Sequence, residues 1–175
     1  IVDGMAPPGQ AGGDTIAELI DKATADPDVL AIVVRVDSGG GSAIASEKIR
    51  SAMQQARDRK LPVIASFGPV AASGGYWIGA GADMIFASPS TVTGSIGVFG
   101  MKLNLEKTLR DKVGITVDVA KTNAYADMGS VARPLMPAER AFLQGQVEKT
   151  YGTFVEHVAA GRNMTFEQVD EIGQG

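Results

Sequence analysis

One serine, Ser73, stands in a setting that suits nucleophilic chemistry. It lies in the run Ala71-Ala72-Ser73-Gly74-Gly75-Tyr76-Trp77, which follows a predicted strand and opens a predicted helix. A serine on such a sharp strand-to-helix turn can expose its hydroxyl as a nucleophile elbow does, although the G-x-S-x-G spelling is absent. The N–H of Gly74 is one of the unpaired donors at the helix N-terminus and could stabilise a developing oxyanion. The alternative interpretation is a helix start whose small residues only pack against a neighbour.

A second glycine-rich turn, Asp37-Ser38-Gly39-Gly40-Gly41-Ser42, also follows an apolar strand pattern and precedes a helical one. Its N–H groups could supply the other half of an oxyanion hole, or cradle an anion such as phosphate. The turn lacks the G-K-[ST] ending of a P-loop and the G-x-G-x-x-G spacing of a dinucleotide site. Two such turns, one of which holds a serine, are a stronger indication of catalysis than either turn alone.

The composition excludes several other kinds of site. The 175 residues include no cysteine, which excludes a thiol nucleophile, a disulfide framework and thiolate metal ligands. The one histidine, His157, lies among apolar residues of a predicted helix, and we interpret it as a packing residue. A single histidine also argues against a zinc site. A net charge of −4 without a basic stripe argues against nucleic-acid binding, and no apolar run is long enough to span a bilayer.

The elements that must position these turns alternate between strand and helix patterns, which predicts an α/β fold with a parallel sheet. Apolar runs of strand length predict strands at Val29–Val36, Pro62–Phe67, Met84–Ala87 and Ile115–Ala120. Helical periodicity predicts helices from an Asp14 cap to about Asp26, from Ile44 to Ala56, from Met101 to Val113, from Pro137 to Ala160, and from Phe166 to Ile172 after a Thr165 cap. We expect one domain over residues 1–175, and the strand-like opening Ile1-Val2-Asp3-Gly4 suggests a piece of a longer protein.

Three blocks of the sequence, in order and in register, resemble the signal peptide peptidase A family, also called the protease IV family. They are Val36–Ser42, Ala71–Trp77 and Pro89–Val98. The resemblance implies the layered fold of the Clp protease and crotonase superfamily. It also implies the site residues: Ser73 as nucleophile, Gly74 and Gly40 as oxyanion amides, and Ser95 as the hydroxyl that positions a catalytic lysine. Gly39 stands where the family usually has proline, which should loosen the turn without removing an N–H.

The resemblance also implies a Ser-Lys dyad instead of a triad, in which a lysine acts as the general base. That lysine must be neutral to accept the serine proton, so its pKa has to fall from about 10.4 through burial and nearby dipoles. In single-domain members the lysine lies in a segment that resembles Tyr125–Ser130, and the matching position here is Ala126. Lys121 matches a different family lysine, with a surface or structural role.

Two explanations fit this alanine. The long form of the family has two homologous halves, with the serine in the C-terminal half and the lysine in the N-terminal half. Ala126 and the following Arg133-Pro134-Leu135 resemble that C-terminal half, which we favour. The alternative is an engineered replacement of the lysine in a single-domain enzyme.

The family resemblance also implies a class of substrate, a set of partners and a cellular location. The expected substrates are hydrophobic, extended peptides such as cleaved signal peptides, bound as an added strand. The expected groove residues are Gly41, Ser42, Ile96, Gly97 and Val98. We expect no metal and no organic cofactor, a homo-oligomeric ring, and a lysine from the N-terminal half or a neighbouring subunit. The expected location is the extracytoplasmic side of a bacterial membrane, with the anchor outside this chain.

Two other functions stay open at this point. A crotonase-type acyl-CoA enzyme would share the fold and the paired amides, but it usually carries Glu or Asp at the catalytic turn, where this chain has Ser73. A catalytically incomplete assembly module is the other alternative, because Ala126 leaves the chain without the expected base.

Overall fold

A computed structural model describes residues 1–7 and 9–173 of the chain. It confirms the predicted α/β fold, in which helices alternate with strands of a parallel sheet. The strands are β1 Ile32–Ser38, β2 Val63–Ala72, β3 Met84–Phe86 and β4 Val92–Gly94. The helices are α1 Gly13–Ala25, α2 Ala43–Asp58, α3 Gly74–Gly79, α4 Glu106–Thr108, α5 Pro137–Arg162 and α6 Phe166–Gly173, with a π-helical turn at Leu109–Val113.

The sheet is organised around β2, which is its longest strand. β1 pairs in parallel with β2 from Ile32 opposite Val63 to Ser38 opposite Ala71, with an irregularity after Val36. On the other side, β3 pairs with the first half of β2 and β4 with the second half. Parallel neighbours need crossover connections, and α2 provides the one between β1 and β2. Because β1, β2 and β4 all run in the same direction, the chain segments that follow them emerge at one end of the sheet.

Two hydrophobic clusters hold the helices that matter for the site. The first packs α1 and α2 against one face of the sheet, and its buried members include Ile20, Val36, Ile49, Met53, Val63 and Phe67. The second fixes α3 against α5 and α6, and its buried members are Trp77, Ala80, Ile96, Phe154, Val155, Val158 and Val169. Burial of this apolar surface is the main favourable contribution to the stability of both clusters.

The helix boundaries agree with most of the sequence predictions. The Thr165 cap is confirmed as a reciprocal pair, since Gln168 N donates to Thr165 Oγ1 at 3.2 Å and Thr165 N donates to Gln168 Oε1 at 2.9 Å. The prediction that Asp14 caps the first helix was wrong, because Gly12 is the residue that precedes α1 and Asp14 lies in its first turn. Within residues 1–7 and 9–173, no helix has the length and apolar character needed to cross a membrane.

The chain divides into two compact units, of which the second is Val98–Lys149 and the first is the remainder. Two predictions inside the second unit were wrong. The expected helix over Met101–Val113 is reduced to α4 and the π-helical turn, because the apolar residues up to Leu105 recur every two positions instead of at helical spacing. The expected strand Ile115–Ala120 is irregular, since no neighbouring strand in the described residues supplies a ladder for it.

Candidate active site

Ser73 occupies the sharp turn between β2 and α3. Its backbone has φ 50° and ψ −122°, and a positive φ is rare for a residue with a side chain. Ser73 N donates to Gly94 O at 2.9 Å, and Ser73 O accepts from Trp77 N at 2.9 Å, so the strained conformation is held on both sides. The side chain is half-buried, and its hydroxyl has no hydrogen-bond partner in the described part of the chain. The elbow geometry that the sequence predicts for this serine is therefore present.

The glycine-rich turn after β1 packs directly against this elbow. A Cβ placed on Gly40 would lie 2.7 Å from Gly74 N and 2.8 Å from Ser73 Cβ. A Cβ placed on Gly74 would lie 2.5 Å from Ser46 Oγ and 3.3 Å from Gly41 N. Contacts this short leave no room for a side chain at Gly40 or Gly74. The two turns singled out in the sequence thus meet at one site.

The amides of the two turns differ in their hydrogen bonds. Gly40 N, the second oxyanion donor implied by the family resemblance, donates to Ser38 Oγ at 3.1 Å. The N–H groups of Gly41 and Gly74 have no partner within residues 1–7 and 9–173. Both Gly40, with φ 105°, and Gly41, with φ 145°, adopt conformations that favour glycine. Of these two glycines, Gly41 therefore has the free N–H in this conformation, whereas the N–H of the expected donor, Gly40, is bonded to Ser38.

The backbone edge around Gly41, which we expected to pair with substrate, already has a neighbour in the chain. Ile1 N donates to Gly40 O at 2.9 Å, and Ser42 N donates to Ile1 O at 3.1 Å. This is the hydrogen-bond pattern of a parallel bridge between Ile1 and Gly41. The Ser42 hydroxyl contacts Asp3 and also caps α2 by accepting from Ala45 N at 3.2 Å. Ser42 thus supports the turn, and the Gly41 N–H has no partner in the part of the chain that the structure describes.

The segment after β4 begins beside the elbow. Gly94 O accepts the hydrogen bond from Ser73 N. Ser95 directly follows this glycine in the chain. Ser95 is exposed and has φ 49°, a second strained serine in the same unit. The side chain of Ile96 is buried in the second hydrophobic cluster, so its backbone is the part that a substrate strand could contact. Gly97 is exposed and Val98 is half-buried.

The expected position of the lysine, Ala126, lies in the second unit beside a cluster of charged side chains. Arg133 donates to Asp127 from Nε and Nη2 at 2.8 Å each, and to Glu139 from Nη1 at 2.7 Å and Nη2 at 2.6 Å. Lys121 Nζ adds a bond to Asp127 at 2.9 Å. The bonds from Arg133 hold the pKa of Asp127 well below its usual range and lower the pKa of Glu139 to about 2.

This charged cluster has a structural role that the sequence analysis missed. Glu139 is almost fully buried, and it also accepts a hydrogen bond from Met136 N at 2.8 Å. Through the bonds of Arg133 to Asp127 and Glu139, the cluster connects the segment around Ala126 to the start of α5. Lys121 is paired with a carboxylate, in agreement with the structural role predicted for it. The sequence feature that could have indicated this cluster is its spacing, since Arg133 lies six residues from Asp127 and six from Glu139.

A second cluster that the sequence analysis missed lies behind the elbow. Glu47 of α2 accepts from Trp77 Nε1 at 2.9 Å and from Arg50 at 2.8 and 2.7 Å. His157 Nε2 lies 3.1 Å from Glu47 Oε2 but is not aligned for a hydrogen bond, and its ring packs edge-on against Trp77. Burial, with the nearby Arg50 charge, lowers the pKa of His157. His157 is a packing residue, as predicted.

The carboxylate of Glu47 thereby joins α2 to α3 by a hydrogen bond and lies beside His157 of α5. Burial raises its pKa, but the hydrogen bonds from Arg50 and Trp77 outweigh burial and lower the pKa overall. Since Trp77 lies one turn of helix beyond Ser73, this cluster helps to fix the direction of α3 behind the nucleophile.

Comparison with known proteins identifies the family. The sequence profile described as peptidase family S49 matches residues 55–175, more than half of the chain. The chain belongs to peptidase family S49. It is 46% identical to Protease 4 of Salmonella typhi and 42% identical to Protease 4 of Haemophilus influenzae, in each case over all 175 residues. It is also 36% identical to the chloroplastic serine protease SPPA of Arabidopsis thaliana over 146 residues, which are 83% of this chain and 21% of the relative.

This S49 membership confirms the resemblance to the signal peptide peptidase A and protease IV family, and with it the Clp protease and crotonase type of α/β fold. The chain spans 28% of the length of each of the two Protease 4 relatives.

Proposed function

We propose that this chain carries the nucleophile and the oxyanion hole of a serine peptidase of the signal peptide peptidase A type. The observation that carries the proposal is the strained elbow of Ser73 in direct contact with the glycine turn. Strain of this kind persists only where the surrounding structure imposes it, and it clusters at functional sites. Membership of peptidase family S49 supports the same conclusion.

In the proposed mechanism Ser73 Oγ attacks the carbonyl carbon of the scissile peptide bond and its proton passes to a neutral lysine. The negative charge that forms on the carbonyl oxygen is stabilised by the N–H of Gly74 and by an N–H of the Gly40–Gly41 turn. One such donor contributes roughly 3 kcal/mol to barrier lowering. The lysine then protonates the leaving amine, and water hydrolyses the acyl-enzyme.

The second amide of the hole is proposed within the glycine turn, where two donors are candidates. Family resemblance favours Gly40, whose N–H would have to leave Ser38 Oγ before it could bind an oxyanion. Gly41 has a free N–H close to Gly74 and needs no such change. We therefore propose Gly41 as the donor in the conformation described and Gly40 as the alternative.

The general base is proposed to come from outside this chain. Ala126 occupies the position that matches the lysine of single-domain relatives, and Lys121 is paired with Asp127. A lysine from the N-terminal half of a long form, or from a neighbouring subunit of a homo-oligomeric ring, would complete the dyad. Ser95, next in the chain to the Gly94 that binds Ser73 N, is proposed to position that lysine.

The proposed substrates are hydrophobic, extended peptides such as cleaved signal peptides, at the extracytoplasmic side of a bacterial membrane. The backbone of Gly41, Ile96, Gly97 and Val98 is proposed to receive them, with Ser42 supporting the turn. No metal or organic cofactor takes part in this mechanism, because the lysine and the two amides supply the required proton transfer and charge stabilisation.

The test compares Ser73→Ala with wild type in the full-length protein, with Ser51→Ala on the far part of α2 as a matched control. We expect Ser73→Ala to lose peptidase activity and labelling by a fluorophosphonate probe, while Ser51→Ala keeps both. Equal peptidase activity in Ser73→Ala and wild type would reject the proposal.

A catalytically incomplete assembly module is the second candidate, and Ala126 is the observation that favours it. Under this alternative, co-expression with the segment that would carry the lysine restores no peptidase activity, and Ser73→Ala has no effect on function.

A further inference from the structure

Ser38, at the carboxyl end of β1, contacts the glycine turn through its hydroxyl. Ser38 Oγ accepts from Gly40 N at 3.1 Å and lies 3.4 Å from Gly40 O. A serine hydroxyl that accepts from the N–H two residues further on is a local motif that fixes a turn. This side chain takes no part in the mechanism proposed above.

The backbone of Ser38 is itself held by its neighbours. It pairs with Ala71 in the parallel ladder of β1 and β2, just beyond the irregularity that follows Val36. Its carbonyl oxygen packs against α3, since a Cβ placed on Gly75 would lie 2.6 Å from Ser38 O. The hydroxyl is therefore attached to a part of the chain that both the sheet and the elbow helix keep in place.

The turn that Ser38 contacts needs an anchor of this kind. Gly39, Gly40 and Gly41 have no side chains, and glycine loses more conformational freedom on folding than any other residue. A Cβ placed on Gly39 would meet nothing within 4 Å, so packing does not restrain this residue. The direction of the N–H groups at Gly39 and Gly40 consequently depends on hydrogen bonds: Ile1 N bonds to Gly40 O, and the Ser38 hydroxyl contacts both Gly40 N and Gly40 O.

We infer that Ser38 is a positioning residue, whose hydroxyl orients the Gly39–Gly41 turn so that the Gly41 N–H joins the Gly74 N–H in the oxyanion hole. This inference rests on the proposed function. The Gly40 N–H is occupied by a neutral hydroxyl, which leaves the Gly41 N–H as the donor of the turn. Without that hydroxyl the Gly39–Gly40 peptide loses the bond on Gly40 N, and the Gly40–Gly41 peptide, which carries the Gly41 N–H, loses the contact of Ser38 Oγ with Gly40 O and keeps the bond from Ile1 N.

The experiment uses the full-length protein and three variants. Ser38→Ala removes the acceptor, and Ser38→Thr keeps it. Ser66→Ala removes a hydroxyl that accepts from Arg35 on the exposed face of the same sheet, and it serves as the control. Peptide hydrolysis gives kcat and KM, a peptide boronate measures binding of a tetrahedral adduct, and thermal unfolding reports stability.

We expect Ser38→Ala to lower kcat about 10-fold with KM nearly unchanged, because the lost contribution is made in the transition state. Binding of the boronate should weaken by a similar factor. Ser38→Thr should recover most of both losses, and Ser66→Ala should resemble wild type.

Each outcome for the Ser38 variants either supports or overturns the positioning role of Ser38. A Ser38→Ala variant with unchanged or higher kcat overturns the inference, and so does a loss that Ser38→Thr does not recover. A lower melting temperature with kcat and KM affected together indicates a merely structural role and also overturns it. Failure of the proposed function is seen separately, as an active Ser73→Ala variant.

Discussion

The contact between the elbow and the glycine turn predicts the effect of adding one methyl group. Gly74→Ala keeps the backbone N–H that we assign to the oxyanion hole, and Gly74 does not have a positive φ, so the backbone itself accepts alanine. The new Cβ, however, would lie 2.5 Å from Ser46 Oγ. Any loss of activity in this variant therefore reports the position of the donor and not its removal.

The size of the effect follows from this distance. Ordinary van der Waals contact begins near 3.4 Å, so the elbow and the Ser46 hydroxyl must separate by about 1 Å. Ser46 is fully buried and its hydroxyl donates to Ser42 O at 2.8 Å, so it has little freedom to move. A misplacement of about 1 Å can reduce the rate of an enzyme by about 100-fold, and we expect kcat of Gly74→Ala to fall by about that factor.

Removal of the obstructing atom should reverse the loss. Ser46→Ala alone gives up one hydrogen bond, worth about 1 kcal/mol of stability, and should retain most of the activity. In the double variant Gly74→Ala/Ser46→Ala the nearest remaining contacts of the new Cβ are 3.3 Å to Gly41 N and 3.4 Å to Gly40 Cα, which small shifts can relieve. Its kcat should return to within about 10-fold of wild type.

The assay is peptide hydrolysis by the full-length enzyme, with thermal unfolding as a check on folding. The reasoning is refuted if Gly74→Ala hydrolyses substrate at the wild-type rate. It is equally refuted if the double variant is no more active than Gly74→Ala while both remain folded.

Three further predictions concern the charged clusters and the base. The lowered pKa of His157 means that its neutral form stabilises the fold above about pH 6.5, and that this contribution is lost as the pH falls toward the folded-state pKa. His157→Phe should flatten that part of the stability curve in chemical denaturation, and an unchanged slope would contradict it. Arg133→Met leaves the buried Glu139 carboxylate without its partner, so hydrogen exchange should accelerate in residues 121–133; unchanged exchange would contradict this. Residues 1–175 alone should show almost no peptide hydrolysis, because the proposed base lies outside them; vigorous hydrolysis by this chain would contradict the external base.

The sequence was informative wherever a local pattern is enough to determine structure. The apolar runs before the two glycine-rich turns became β1 and β2, and the small residues around Ser73 became the elbow. The same reasoning failed for Ile115–Ala120, whose alternating residues match a strand. A strand requires a hydrogen-bonded neighbour, and a pattern within one segment cannot show whether that neighbour exists.

The parts of the site that the sequence did not reveal depend on contacts between distant residues. Ile1 pairs with Gly41, and Glu47 binds Trp77, and neither partner could be named from its own surroundings in the sequence. The choice between Gly40 and Gly41 has a different cause. The family motif favours Gly40, whereas in the structure the hydroxyl of Ser38 takes the Gly40 N–H and the Gly41 N–H stays free, which the motif alone does not show.

The most direct measurement is a crystal structure of the full-length protein after reaction with a peptide boronate. The account predicts a bond from Ser73 Oγ to boron, and one boronate oxygen within about 3 Å of both Gly74 N and an amide of the Gly40–Gly41 turn. A boronate attached to a different residue, or an oxygen directed away from both turns, would contradict it.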